Sequence, residues 1–376
     1  MLLKYKKLNA TPKNLRLCIV SDQLAGGGAE RWAAQVSCYF EAQGISVHHV
    51  VVVPQVTYPF CGQLVAVGGD DKARGWRRLE QRLQRFRQFN TFFKNESFDL
   101  IIDNRVKIKP FQELIIHRWV YRSPYLLMVH SSAKHLYFPK PRWISDAIYH
   151  KAKAIVAVSG AIQQRIIAED HYPACQLFYN PIDLKQIAEW QLESVVTPTQ
   201  YILAVGSFRD GVKQFDRLIA LYAASKLPSW DIHLVLLGDG PLLTEIMAQA
   251  KALSCAEKIH FMGNVANPFP YYKNALYTTL TSQFEGFPTV LIESLATGTP
   301  VLSYDCFSGP SEIISHENNG LLIPDQDEEA FLSGMHRLIE DKTVYLRCKT
   351  NASQSVSHLD LSMIGEQWVQ WFKTFL

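Results

Sequence analysis

From Leu15 onward, apolar runs of strand length alternate with stretches whose apolar positions recur at helical spacing, the pattern of parallel sheets covered by helices. Two series are legible. The first places strands at Leu15 to Ser21, Ile45 to Val53, Phe98 to Asp103, Pro124 to His130, Ala154 to Val158 and Gln176 to Tyr179. Between the first two, Glu30 to Gln43 reads as a helix with Trp32, Ala33, Val36 and Phe40 on one face and Gly44 as its stop. The second series places strands at Tyr201 to Val205, Ile232 to Leu237, Ile259 to Met262, Tyr277 to Leu280, Val301 to Tyr304 and Leu321 to Ile323. Asn180-Pro181-Ile182-Asp183, followed by a polar stretch ending Thr197-Pro198-Thr199-Gln200, separates them and reads as a linker.

The expected fold is therefore α/β, with two Rossmann-like, doubly wound domains. Their expected bounds are 1–183 and 184–358, with a C-terminal helix in 359–376 crossing back to the first. A chain of 376 residues, 48% apolar, is long for one core and leaves no stretch that reads as disordered. A net charge of +3 gives no whole-chain signal for nucleic acid, so no nucleic-acid partner is expected and any basic surface must be local. The seven cysteines (Cys18, Cys38, Cys61, Cys175, Cys255, Cys306, Cys348) are odd in number and scattered, without metal-ligand spacing. They fit a reducing cytoplasm. The basic start, Lys4 to Lys7, leads into polar Asn9 to Asn14 rather than an apolar signal core, and no apolar run approaches bilayer length. The expectation is a protein neither exported nor membrane-spanning.

Ligands of open parallel sheets bind beyond the carboxyl ends of the strands, so the loops there carry the candidate chemistry. After the first strand, Gly26-Gly27-Gly28-Ala29-Glu30 offers close backbone approach at a helix start, with Gly27 and Gly28 as candidate donor contacts. It lacks the G-x-G-x-x-G spacing of nicotinamide sites. The stronger signal is Phe284-Glu285-Gly286-Phe287-Pro288-Thr289-Val290-Leu291-Ile292-Glu293, which follows a strand and enters a helix, with Pro288 in the first turn. The free amides of Thr289 and Val290 at such a terminus suit a diphosphate, and Gly286 and Phe287 are further candidate donor contacts. Glu285 and Glu293 could then grip groups on either side of it.

These segments resemble the retaining glycosyltransferases of family 4, which have the GT-B architecture of two facing Rossmann-like domains with a cleft between them. The resemblance runs through the Gly-rich loop with Glu30, Met128-Val129-His130-Ser131-Ser132, Val156 to Ser159, Asn180 to Asp183 and Val205-Gly206. It continues through Lys213 to Ile219, Gly238-Asp239-Gly240-Pro241, Ser282 to Pro288 and Gly309-Pro310-Ser311-Glu312. It implies that His130 positions the donor sugar, that Lys213 neutralises the leaving diphosphate, that Glu285 holds the sugar and that Glu293 holds the ribose. His130, Glu285 and Lys213 are the expected catalytic residues. Where the family usually has a second cationic clamp, an arginine after Val205-Gly206, this chain has Ser207, and Arg209 is the nearest substitute.

The resemblance further implies front-face transfer, without a metal ion or bound cofactor, from a nucleotide sugar to a glycan or polyprenyl-linked acceptor. Ser303-Tyr304-Asp305-Cys306 ahead of Gly309-Pro310-Ser311-Glu312 is similar to enzymes of bacterial capsule, O-antigen, lipopolysaccharide and other lipid-linked oligosaccharide assembly, which favours UDP as the nucleotide. The other readings are a non-catalytic sugar-nucleotide-binding subunit, to which Ser207 lends weight, and a different GT-B activity such as a phosphorylase or epimerase. Arg74 to Lys94 carries seven cations against Glu80 alone, with Trp76, Leu79, Leu83, Phe86 and Phe93 at helical spacing. Such a basic amphipathic helix is expected to bind an anionic membrane surface, peripheral on the inner face.

Overall fold

Central strands of a parallel sheet are buried on both faces, so continuous apolar runs form them. The computed structural model describes residues 15–68, 76–172 and 174–375; Lys4 to Lys7 and Asn9 to Asn14 lie outside them. The chain divides into two units, Met1–Pro181 with Leu361–Leu376, and Ile182–Asp360.

The first unit holds β1 (Arg16–Ser21), β2 (Ser46–Val51), β3 (Gln63–Ala66), β4 (Leu100–Asp103), β5 (Tyr125–Val129), β6 (Ala154–Ala157) and β7 (Cys175–Leu177). They form one parallel sheet in the order β3-β2-β1-β4-β5-β6-β7. The second unit holds β8 (Tyr201–Val205), β9 (His233–Leu237), β10 (Ile259–Phe261), β11 (Thr278–Leu280), β12 (Val301–Tyr304) and β13 (Gly320–Ile323), parallel in the order β10-β9-β8-β11-β12-β13. Strand order reverses between β1 and β4 in one sheet and between β8 and β11 in the other. Those two points are where a ligand crevice opens in such sheets.

The helix Gly28–Ala42 buries Trp32, Ala33, Val36 and Phe40 as its periodicity predicts. It ends where Gly44 takes φ +87° and the Ile45 amide reaches back to the Phe40 carbonyl. The last helix, Leu361–Phe372, packs on it within the first unit: Trp368 meets Trp32 at 5.6 Å and Phe372 meets Phe40 at 5.3 Å.

Three expectations need correction. β3 is absent from the sequence-based list because Gln63, Leu64 and Ala66 are exposed on an edge and show no strand periodicity. Just before it, Cys61 bonds Cys38 of the helix Gly28–Ala42, so the cysteines are not all free thiols. The disulfide removes this pair from the thiols expected in a reducing cytoplasm. The third correction lies in the polar stretch read as linker, which contains the helix Leu184–Trp190, N-capped by Asp183 through the Gln186 amide.

Candidate active site

In the second unit, the loops that follow β8 and β11 meet at the point of reversed strand order. Gln283 donates its amide to the Val212 carbonyl, and Thr281 Oγ1 donates to the Lys213 carbonyl at 2.9 Å. These bonds fix the Lys213 backbone. Its side chain then runs over Gly206, where any Cβ would approach Lys213 Cγ and Cε within 3.2–3.3 Å. Glycine at this position leaves room for the lysine stem.

Lys213 Nζ donates to Glu285 Oε1 at 2.5 Å, and Ser282 Oγ donates to the same oxygen at 2.6 Å. The pair is mostly buried, with side-chain exposures of 21% and 12%. No side-chain bond reaches Glu285 Oε2 among the described residues, so one carboxylate oxygen is held and the other can accept a hydrogen bond. Gly286 and Phe287 are buried next to it; Ser308 Oγ donates to the Gly286 carbonyl at 2.9 Å. Gly309, at φ +102°, packs so closely on this turn that a Cβ would lie 2.6 Å from Pro288 Cδ. Gly309-Pro310 thus serves as the floor of the Glu285 turn.

The helix Thr289–Ala296 begins one residue later than expected. Pro288 is its N-cap and supplies no side-chain bond, which leaves the Thr289 and Val290 amides without an intrahelical partner. Glu293, one turn inside, is only 2% exposed, and Tyr272 Oη donates to its Oε2 at 2.9 Å. Arg209 is exposed, with no ion pair or side-chain hydrogen bond among the described residues, and Ser207 is half-buried. Phe208 between them is a core residue whose ring lies 4.3 Å from that of Phe215, tilted by 32°. Gly238 and Gly240 let the loop after β9 pass beneath: their Cβ atoms would strike the Gly206 and Phe208 carbonyl oxygens.

In the first unit, the glycine-rich loop and the loop after β4 meet in the same way. Gly27 caps the helix; a Cβ there would fall 2.3 Å from Glu30 Oε2, whereas one on Gly28 would meet nothing. Asn104, after β4, donates through Nδ2 to the Ala29 carbonyl at 2.9 Å, and its Oδ1 bonds His130 Nε2. That amide orientation makes Nε2 the protonated nitrogen and leaves Nδ1 as an acceptor. Nδ1 is buried with no partner among the described residues. Burial, then the Lys107 charge, pull the imidazole down to about 3, so it is neutral at physiological pH.

Beside Asn104 lies a network that the sequence reading missed. Asp103, Arg105, Lys107, Glu113, His117 and Tyr121 are all buried. Arg105 bonds Asp103 at 2.8 Å and Glu113 at 3.0 Å, and His117 Nε2 lies 3.1 Å from Asp103. Burial pushes the Asp103 carboxyl up, but Arg105, Lys107 and His117 outweigh it and hold it well below the usual range. Asp103, Glu113 and His117 stand close enough to ligate a metal ion, yet the Arg105 guanidinium already occupies their oxygens. The signal available was Asp103-Asn104-Arg105-x-Lys107, charge placed directly at a buried strand end.

Of the basic segment, Arg74 and the side chains of Trp76, Arg77, Arg78 and Leu79 lie outside the described residues. Residues 76–95 form one helix. Phe89 and Phe93 pack inward against Tyr121, whereas Arg82, Arg87 and Lys94 are exposed.

The fold and the two loop pairs define a GT-B protein. Residues 26–186 match the family model for Glycosyltransferase Family 4 and residues 190–355 the model for Glycosyl transferases group 1. The chain belongs to this glycosyltransferase family. It is 34% identical over 197 residues to the Campylobacter jejuni N-acetylgalactosamine-N,N'-diacetylbacillosaminyl-diphospho-undecaprenol 4-alpha-N-acetylgalactosaminyltransferase, covering 52% of this chain and 53% of that one. It is 26% identical to the Salmonella typhimurium lipopolysaccharide 1,6-galactosyltransferase, covering 70% and 72%. The chain thus spans about half the length of the first of these relatives. Among solved structures, Anabaena HepE in complex with UDP-glucose superposes with a TM-score of 0.74 at 18% identity, covering 95% of this chain and 99% of that one. Sucrose-phosphate synthase from Thermosynechococcus elongatus gives 0.77 at 18%, covering 96% and 99%.

Proposed function

We propose that the protein is a retaining glycosyltransferase that moves a hexose or N-acetylhexosamine from a UDP-sugar to a lipid-linked glycan in surface polysaccharide synthesis. The observation that carries this reading is the Lys213–Glu285 pair beside an uncapped helix N-terminus at the reversal of strand order. Lys213 and the Thr289 and Val290 amides neutralise the diphosphate as the bond to the sugar breaks. Glu285 keeps Oε1 on Lys213 and Ser282 and offers Oε2 to a sugar hydroxyl. Glu293 is assigned to the ribose, Arg209 to the second phosphate. His130, neutral and with Nδ1 unpartnered among the described residues, is assigned to a sugar hydroxyl rather than to proton transfer.

The acceptor hydroxyl attacks the anomeric carbon from the side of the departing diphosphate, and a diphosphate oxygen takes the proton. Relatives whose names carry diphospho-undecaprenol or lipopolysaccharide support the acceptor class, and the UDP-glucose complex of HepE supports the nucleotide. No helix among the described residues is long and apolar enough to cross a membrane. The exposed Arg82, Arg87 and Lys94 support contact with an anionic membrane surface instead. The test is a donor panel: UDP- and GDP-sugars mixed with a short polyprenyl-linked acceptor, with nucleotide release measured. Release from a UDP-sugar alone supports the reading, and release from none overturns it.

A further inference from the structure

The helix Pro110–Ile115 and the wider turn Ile116–Val120 that continues it are amphipathic in the inverted sense. The face with the charges is inside: Glu113 and His117 are buried on Arg105 and Asp103. The face with the large apolar residues is outside. Ile108, Phe111, Ile115 and Trp119 follow one another at helical spacing, and Phe111 and Trp119 are 65% and 63% exposed. The i→i+5 bond from the Tyr121 amide to the Ile116 carbonyl widens the last turn and keeps Ile115 and Trp119 on one face. Next to it, the helix Arg142–Tyr149 adds Trp143, 54% exposed. Lys151 Nζ ties the chain after that helix to the His117 carbonyl at 2.9 Å.

A contiguous apolar stripe of this kind is costly to leave in water and marks an interaction surface. The charges around it indicate the partner. Between residues 107 and 122 the exposed charges are Lys109, Arg118 and Arg122, all positive, and the one acid, Glu113, is turned inward. Arg142 extends the cationic rim beside Trp143. Phe and Trp flanked by Lys and Arg suit the interface of an anionic bilayer, where rings enter the headgroup boundary and cations meet lipid phosphates.

We infer that the stripe Ile108, Phe111, Ile115 and Trp119 is the part of this protein that inserts into an anionic membrane. The basic helix Trp76–Asn95, where Phe89 and Phe93 are used in the core and Leu83 is exposed among arginines, supplies further electrostatic attraction. The inference takes its purpose from the proposed lipid-linked acceptor, but its test does not depend on transfer.

The full chain is sedimented with vesicles of phosphatidylethanolamine and phosphatidylglycerol, and with phosphatidylcholine vesicles as control. The wild type is expected to bind the anionic vesicles, with tryptophan emission quenched by brominated phosphatidylglycerol. The double variant Phe111→Ser/Trp119→Ser is expected to lose about tenfold or more of that binding at an unchanged unfolding temperature, because both side chains are exposed. Wild-type binding by the variant, or no binding by the wild type, overturns the inference. So does a wild-type dimer in solution that the variant converts to monomer, since the stripe then covers a second copy. A chain that binds as expected but releases no nucleotide from any donor supports the docking surface while removing the proposed function.

Discussion

Lys213 Nζ stands 2.5 Å from Glu285 Oε1 across the point where the strand order of the second sheet reverses. Each residue holds the other in place, so their effects on transfer should not add. Lys213→Ala is expected to lower turnover about 10²-fold or more through the lost stabilisation of the leaving diphosphate. Glu285→Gln should fall by a comparable factor, and the double variant little further. Rates of nucleotide release in the four proteins check this; additive losses would mean that the pair does not act as a unit.

Arg209 is the only cation close in sequence to Ser207 on the loop before Lys213, and it is exposed with its guanidinium uncommitted among the described residues. Arg209→Ala is expected to weaken UDP binding by roughly tenfold, the loss of one charge-assisted contact to phosphate. Calorimetric titration with UDP measures it. Unchanged affinity, together with higher activity in Ser207→Arg, would show a weakened site rather than a relocated clamp.

His130 makes a prediction about pH. Its folded value of about 3 lies below the ordinary 6.5, so the unfolded chain takes up a proton that the fold refuses. The stability that follows is complete above the unfolded value and is lost as pH falls from about 6.5 toward 3. His130→Gln should therefore flatten part of the fall in unfolding temperature over that window. Nitrogen NMR of the wild type should show the Nε2–H tautomer, and an imidazole titrating near 6.5 would contradict the Asn104 bond as described.

The network around Arg105 makes a prediction about stability. Asp103→Asn or Glu113→Gln leaves Arg105 short of a partner in a buried site, which should cost about 3–5 kcal/mol. Denaturant unfolding measures the loss. A change under 1 kcal/mol, roughly that of a surface pair, would show that the network is not the buried unit described.

The sequence carries the sheets well because both contain runs such as Leu17 to Val20 and Leu234 to Leu237, in which burial on two faces demands unbroken apolar character. It carries β3 badly, since Gln63, Leu64 and Ala66 satisfy only an edge. The motif from Ser282 to Glu285 was legible, but not the role of Ser308, whose hydroxyl reaches the Gly286 carbonyl only once the β12 loop is folded beside that turn. Cys38 and Cys61 are 23 residues apart, and no spacing rule pairs them. The helix after Lys109 is the least legible: Phe111, Ile115 and Trp119 at helical spacing would ordinarily be assigned to a core, and only the buried Arg105 network turns them outward.

The central claim is transfer with retained configuration from a UDP-sugar through the Lys213–Glu285 site. It is tested most directly by proton NMR of the anomeric signal of the product formed from an α-linked UDP-sugar and a polyprenyl-linked acceptor. An α-linked product from the wild type, formed about 10²-fold or more slowly by Glu285→Gln and by Lys213→Ala, is the expected result. A β-linked product, or full activity in either variant, would contradict it.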